Sequence, residues 1–290
     1  MRFKVSCHVQ YDVGFPSTLI LNMHAQRNAS QMISEEHFTV EPRTKTDEFI
    51  ADGNANRFIR LETGKKKHLT INYEAIVDCE HEVIPANKID YTPVLEMERK
   101  AIPFLFPSRY CQSDRLGRLA WDLFGKIANP YEKVVAIVDW IHANVEYVPG
   151  STNSETSAYD TITQRTGVCR DFAHLGIALC RALNISARYF SGYAYELQPP
   201  DFHACFEAYI GSRWLVFDAT RLAHLNGLVR IGNGRDAADA AVASIFGRVN
   251  CTQMKVDCQL VPGQKYVPLD RKQIGRKGVS LELKQAEKAS

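Results

Sequence analysis

The sequence predicts an α+β protein in which an N-terminal antiparallel β-sandwich precedes a domain of helices and strands. Residues 1 to about 100 contain short runs rich in β-branched and aromatic residues, and helical patterns follow between residues 114 and 183. The chain has 290 residues, which is long enough for two domains. We expect a β-rich domain at 1–100, a second domain of helices and strands at 101–265 and a tail or peripheral segment at 266–290.

The N-terminal third alternates β-favouring runs with turn residues such as Gly, Pro, Asn and Asp. Several short strands with frequent turns are typical of an antiparallel sandwich. The predicted strands cover residues 3–13, 17–25, 36–40, 48–52, 57–62 and 67–79. A further strand is expected much later in the chain, at 251–260.

Residues 88–108 contain three prolines and are expected to link the domains in an extended course. Their apolar end, at 104–110, should pack against one domain. Two amphipathic helices are then predicted at 114–127 and 129–145. Asn129 followed by proline suits the start of the second helix, because Asn caps a helix and Pro fits its first turn.

The most informative residue is Cys169, which lies in the run TGVCRDFAHL. Gly167 permits a close approach of the backbone, and the pattern over 168–183 predicts a helix that holds Cys169 in its first turn. The unpaired N–H groups and positive dipole end of a helix favour a thiolate there and face a developing oxyanion. The alternative is a buried structural cysteine, as expected for Cys180.

Two strand-like runs follow, at 202–210 and 213–218, on either side of Gly211 and Ser212. A turn between two β runs predicts a hairpin. The first run does not alternate perfectly between polar and apolar residues, so the pattern leaves open which side chains share a face.

Pairing around this turn would place residues near 206 and 217 opposite each other. His203 and Asp218 would then lie toward the same open end of the hairpin. A carboxylate that accepts one imidazole N–H fixes the tautomer and leaves the other ring nitrogen to face a thiol. The candidate catalytic residues are therefore Cys169, His203 and Asp218.

The runs TGVCRDFAHLGIALCRALNISARYFSGY and HACFEAYIGSRWLVFDAT resemble the core of the transglutaminase-like superfamily, whose papain-like fold carries Cys, His and Asp in this order. The resemblance implies that Cys169 is the nucleophile, His203 the general base and acid, and Asp218 the residue that orients the imidazole. It also implies a papain-like transglutaminase core behind an N-terminal β-sandwich.

The core resemblance spans roughly residues 150–240, and 234–239 resemble a segment that recurs after the core in bacterial members. Ala219 departs from the many relatives that have Pro after the Asp. This difference frees one φ angle and removes no catalytic group.

In this kind of fold a second oxyanion donor is expected upstream of the nucleophile, and Asn144, Tyr147 and Gln164 are the candidates. Residues 152–159 are small and polar and are expected to form a loop near the site. We expect Asp171 to cap or pair near the helix start rather than to take part in catalysis.

The charge balance, 35 Lys plus Arg against 33 Asp plus Glu, gives no reason to expect nucleic acid or an anionic membrane as a partner. The N-terminus lacks the apolar core of a signal peptide, and no run is apolar enough to span a bilayer. We expect a cytoplasmic protein; a cleaved secreted form is the alternative.

Eight cysteines are scattered through the chain, which favours reduced thiols over a disulfide framework. Cys251 and Cys258, or His203 and Cys205, lack the closely spaced partners of a structural zinc site. Chelation by His203 and Cys205 is the weaker alternative to catalysis, so we expect no metal and no cofactor.

The expected function is thiol-dependent acyl transfer, as in a cysteine protease or amidase that hydrolyses peptide or carboxamide bonds through a thioester. The expected partner is a peptide or protein substrate, and the sequence does not indicate an oligomeric state. The alternatives are a protein-glutamine transglutaminase, a non-catalytic peptide-binding scaffold, and an acyltransferase acting on a small thioester, for which no acyl-carrier signature is visible.

Overall fold

A computed structural model describes residues 1–269 and 276–283 and confirms the α+β class. The described helices are α1 (Ser113–Phe124), α2 (Pro130–Asn144), α3 (Ala158–Gln164) and α4 (Cys169–Ala182). The described strands are β1 (Arg2–Val13), β2 (Thr18–Leu21), β3 (Gln31–Glu41), β4 (Thr46–Ile50), β5 (Arg57–Glu62), β6 (His68–Cys79), β7 (Glu82–Pro85), β8 (Glu146–Tyr147), β9 (Thr166–Gly167), β10 (Ala187–Ala194), β11 (His203–Ile210), β12 (Arg213–Phe217), β13 (Leu228–Gly234), β14 (Ala243–Phe246), β15 (Val249–Leu260) and β16 (Lys277–Ser280).

One compact unit comprises residues 1–79, 190–203 and 222–267. It contains two antiparallel four-stranded sheets, with strand orders β15–β1–β6–β3 and β14–β2–β5–β4. Burial alternates along β1 and β6, as expected of strands with one face toward a core. Side chains of both sheets share one buried cluster, which confirms the sandwich; its members include Val5, Leu19, Leu61 and Ile71.

The last strand of the first sheet comes from far along the chain. The predicted strand at 251–260 is observed as β15, which pairs antiparallel with β1 from Phe3 opposite Leu260 to Val13 opposite Val249. Pairing shifts by one residue between Gln10 and Tyr11, a β-bulge. The sandwich is therefore completed by residues outside the first 100.

The other unit comprises residues 80–189, 204–221 and 268–290, the last of these only in its described part. Helix α4 lies at its centre and contacts α1, α2 and α3. A Cβ on Gly176 would lie 2.5 Å from the Phe206 ring of β11. The glycine thus lets α4 lie directly on the strand, and we expect little tolerance for a larger residue there.

The segment predicted to be extended at 88–108 is instead folded into short 3₁₀ helices, at Ala86–Lys88, Val94–Glu96 and Arg99–Leu105. Proline caps the second of these, since its fixed φ suits the start of a tight turn. The expected packing of the apolar end is confirmed: the Phe104 ring meets Trp214 edge-on, with centroids 5.4 Å apart.

The expected tail at 266–290 includes a strand. Strand β16 pairs antiparallel with β7, and Val279 is 2% exposed. The Tyr131 hydroxyl also donates to the Lys277 carbonyl at 2.8 Å. Residues 277–280 are therefore integral to the second unit, whereas 270–275 and 284–290 lie outside the described residues.

Within the described residues, no helix combines the length and apolar content needed to cross a bilayer.

Candidate active site

Cys169 is the first residue of α4, as predicted, and its side chain is partly exposed. Val168 before it is extended, with φ −115° and ψ −178°. The preceding strand β9 pairs in parallel with β8. The chain therefore runs out of a short strand and turns sharply into the helix, with the thiol at the positive end of the helix dipole.

Two neighbours fix this turn. Gly167 allows the close approach that was predicted, because a Cβ there would lie 2.8 Å from the Asp171 Cβ. The Asp171 carboxylate is fully buried and accepts the Val168 backbone N–H at 2.9 Å. This contact confirms the expected capping role of Asp171 at the start of the helix.

A stack of rings lies in this region. His174 of α4 stacks on Tyr110, with centroids 5.0 Å apart and planes 6° apart, and it also contacts the ring of Tyr189 of β10 at 5.2 Å. Burial raises the pKa of Tyr189 well above its usual range, and charge on Cys169 and then Cys205 raises it further. Tyr189 therefore stays neutral at physiological pH.

Burial lowers the pKa of His174 to about 3, and the Asp171 charge only partly opposes this effect. The unfolded chain binds a proton at His174 below pH ~6.5, whereas the folded state does not until about pH 3. Stability from this residue is therefore complete above pH ~6.5 and is lost as the pH falls below that value.

We expect His174→Phe, which keeps a flat ring and removes the titration, to reduce this acid sensitivity. The loss in the free energy of unfolding between pH 7 and pH 5 should be about 2 kcal/mol smaller than in the wild type, from ~1.4 kcal/mol per pH unit below ~6.5. Urea denaturation at the two pH values measures the difference. An equal loss in both proteins would contradict this account of His174.

The predicted hairpin is confirmed, since β11 and β12 pair with Phe206 opposite Phe217. Gly211 and Ser212 form its turn with φ values of +61° and +57°, both left-handed, as a type I′ turn requires. His203 is the first residue of β11, and Asp218 follows the last residue of β12. This register places the two residues at the same end of the hairpin.

Both side chains are buried: His203 is 2% exposed and Asp218 is 1% exposed. Asp218 Oδ1 accepts the Thr220 backbone N–H at 2.9 Å and the Thr220 hydroxyl at 2.7 Å. Thr220 thereby fixes the orientation of the carboxylate. Sequence reasoning missed Thr220, although Asp followed two residues later by Thr is a recognisable local turn pattern.

The three candidates for the second oxyanion donor lie in different settings. Asn144 donates to the Trp140 carbonyl in its own helix and accepts from Arg165. Gln164 is exposed at the end of α3. Tyr147 pairs with Gly167 in the β8–β9 bridge, two residues before the nucleophile candidate. Tyr147 is therefore the candidate placed next to the turn that carries Cys169.

Helix α3 was missed, since residues 152–159 were expected to be a loop throughout. The helix begins at Ala158, and the Asp160 carboxylate accepts both the Ser157 N–H and hydroxyl, at 2.9 and 2.6 Å. The pattern Ser-x-x-Asp is a helix-start signal that was available in the sequence.

Across the described residues, no group of three or more His, Cys, Asp and Glu side chains is arranged to hold a metal ion.

Two family models match this chain. Residues 1–100 match the N-terminal domain of bacterial transglutaminase, and residues 118–219 match the transglutaminase-like superfamily. The first match coincides with the predicted β-rich domain. The second contains Cys169, His203 and Asp218.

Among solved structures, the chain is similar to a protein of Cytophaga hutchinsonii that is provisionally described as a cysteine protease. The two are 54% identical, with a TM-score of 0.93 and 97% of each chain covered. The Mycobacterium leprae protein ML0607, itself uncharacterized, is 27% identical over 65% of this chain and 71% of its own length. The uncharacterized Mycobacterium tuberculosis protein Rv2569c is 34% identical over 34% of this chain and 36% of its own.

These similarities support a thiol-dependent enzyme at the level of the family. The chain belongs to the transglutaminase-like superfamily and carries the N-terminal domain of bacterial transglutaminases.

Proposed function

We propose that this protein is a cysteine protease or amidase that hydrolyses peptide or carboxamide bonds through a thioester on Cys169. His203 is the general base and acid, and Asp218 orients its imidazole. The observation that carries the proposal is the position of a partly exposed Cys169 at the first residue of α4, a helix whose Gly176 lies directly on β11, the strand that begins at His203.

The reaction begins when His203 takes the proton of the Cys169 thiol and leaves a thiolate beside an imidazolium. The sulfur attacks the carbonyl carbon of the substrate, and the carbonyl oxygen becomes an oxyanion. Backbone N–H groups in the first turn of α4 stabilise that charge, because a helix leaves its first N–H groups without internal partners. Tyr147 is the proposed additional donor.

Collapse of this intermediate breaks the carbon–nitrogen bond. His203 gives its proton to the leaving amine, and a thioester remains on Cys169. Water then attacks the thioester while His203 accepts a proton from it. The carboxylic acid leaves, and His203 returns its proton to the sulfur as the thiol or ion pair is restored.

The role of Asp218 is to orient the imidazole ring of His203. Asp218 Oδ1 accepts two hydrogen bonds from Thr220, which fix the orientation of the carboxylate. Accepting an N–H from the ring would fix the tautomer of His203 and stabilise the imidazolium.

The pH dependence of alkylation at Cys169 tests the nucleophile. We expect iodoacetamide to label Cys169 with an apparent pKa at least one unit below ~8.5, the value of an ordinary thiol. His203→Asn should raise the apparent pKa toward that value. Cys251→Ala, which removes an exposed thiol, should leave the profile of Cys169 unchanged in a site-resolved mass measurement.

Ordinary thiol behaviour at Cys169 in the wild type would contradict the proposal and favour a non-catalytic scaffold. Where an activated thiol is observed, products separate the two reactions. Release of free acid and amine from a peptide library indicates hydrolysis. Incorporation of a fluorescent primary amine into glutamine-containing protein indicates a transglutaminase, in which an amine replaces water as the thioester acceptor.

A further inference from the structure

A cluster of three side chains ties the start of α4 to the loop before α3. Asp171 Oδ2 accepts the Val168 N–H at 2.9 Å and the Thr152 hydroxyl at 2.6 Å. Arg170 donates to Asp171 Oδ1 through Nε at 3.2 Å and Nη2 at 3.0 Å. The same Nη2 donates to the Asn153 carbonyl at 2.6 Å. The carboxylate is thus held on both oxygens.

The burial of this cluster is uneven. The Asp171 side chain is completely buried, while the Arg170 side chain is 26% exposed. A buried carboxylate requires a partner charge, because isolated burial of an ion is costly. Arg170 supplies that charge from the adjacent position, so the pair brings little net charge to the turn that holds the thiol.

This arrangement matters because Asp171 is two residues from Cys169. An uncompensated anion so close along the chain would oppose formation of the thiolate. The carboxylate is nevertheless needed there, since it satisfies the Val168 N–H and fixes the turn. Arg170 allows both: the hydrogen bonds of Asp171 are kept and its charge is balanced.

We propose that Arg170 is a positioning residue whose charge balances Asp171 and so favours a thiolate at Cys169, while Asp171 holds the turn and anchors the loop at Thr152. This inference rests on the proposed role of Cys169 as nucleophile.

Other titratable groups lie around this turn, and the variants used in the test leave all of them unchanged. His174 and Tyr189 are uncharged at neutral pH. The titratable neighbours on the packed elements are His174 on α4, Tyr147 on β8, Tyr110 ahead of α1, Tyr189 on β10 and Cys205 on β11. The proposed triad adds His203 and Asp218.

The test is the pH profile of Cys169 alkylation in variants of the full chain. We expect Arg170→Gln to raise the apparent pKa by roughly half a pH unit or more, since it leaves the thiolate beside the unbalanced charge of Asp171. Arg170→Lys keeps the charge and should restore most of the wild-type profile. Arg118→Gln removes an exposed arginine from a different ion pair and should leave the profile unchanged.

The decisive comparison is made in the Asp171→Asn background. Asp171→Asn alone leaves the Arg170 charge unbalanced and should lower the apparent pKa, whereas adding Arg170→Gln removes both charges and should return the apparent pKa close to the wild-type value. A double variant that keeps the full rise seen in Arg170→Gln, or no rise in the wild-type background, would overturn the proposal while leaving the nucleophile assignment intact. An unactivated Cys169 in the wild type would instead defeat the proposed function itself. Circular dichroism of each variant verifies that the fold is retained.

Discussion

Replacing Cys169 with alanine is expected to lower kcat/KM for amide hydrolysis by about 10⁴-fold or more, because loss of a nucleophile removes the covalent route altogether. The side chain is partly exposed at a helix start, so truncating it leaves no buried cavity of consequence. Folding and activity should therefore separate. The measurement is peptide or carboxamide hydrolysis under conditions in which substrate is below KM.

Cys251→Ala is the matched control. It removes another free cysteine, which is exposed on β15, and should retain wild-type activity. Mass spectrometry of quenched reactions should detect an acyl group on Cys169 in the wild type and in Cys251→Ala. Unchanged hydrolysis by Cys169→Ala, in a preparation free of contaminating protease, would show that another residue carries the reaction.

Three strands of the N-terminal region were predictable because their signal is local, whereas the run predicted at 36–40 is observed as β3 over Gln31–Glu41. The predicted runs 3–13, 57–62 and 67–79 match β1, β5 and β6 to within one residue at each end. Burial alternates along these strands, and turn residues mark their ends. The partner of β1 was not predictable from the same signal, because β15 is more than 200 residues away and pairing depends on the assembled sheet.

The start of helix α2 was also predictable from a local sequence signal. Asn129 was predicted to cap α2, and its side chain accepts the N–H groups of Tyr131 and Glu132 at 2.8 and 3.1 Å. Helix α3 was not predicted because small polar residues are typical of loops, although Ser157 and Asp160 form a helix-capping signal. The miss at β16 has a different cause: a short strand at a Lys-rich chain end is stabilised by β7, whose position the local sequence does not reveal.

For the candidate site, the sequence indicated the candidate residues but not the neighbouring side chains that hold them in place. Cys169 was predicted in the first turn of a helix because a glycine precedes it and apolar periodicity follows. The contact between Thr152 and Asp171, 19 positions apart, could not be predicted from either segment alone. The same holds for the stack of Tyr110, His174 and Tyr189, which joins three separate parts of the chain.

The second large effect is a loss of stability, expected when Arg188 of β10 is replaced. Its Nε donates to Glu207 Oε2 at 2.7 Å, and its guanidinium lies 4.2 Å from the centre of the Trp214 ring. It also pairs with Glu282 near the end of the described chain. Arg188 is 9% exposed and Glu207 is fully buried, so the two charges depend on each other inside the fold.

We expect Arg188→Met to lower the free energy of unfolding by about 3 to 5 kcal/mol, because Glu207 is left buried without its counter-charge. Urea denaturation at pH 7 measures this loss. Glu282→Gln is the matched control on the same arginine: Glu282 is 37% exposed, and an ion pair open to water contributes only about 0 to 1 kcal/mol.

The double variant Arg188→Met with Glu207→Met separates charge from packing. If the loss in Arg188→Met arises from an uncompensated carboxylate, removing that carboxylate should recover most of it, since well-packed apolar residues often replace a buried ion pair at little cost. Additive losses in the two single variants would instead assign the effect to packing against Trp214. Because β10 and β11 are adjacent strands of the sheet that α4 packs against, recovery of stability should be accompanied by recovery of the Cys169 alkylation profile.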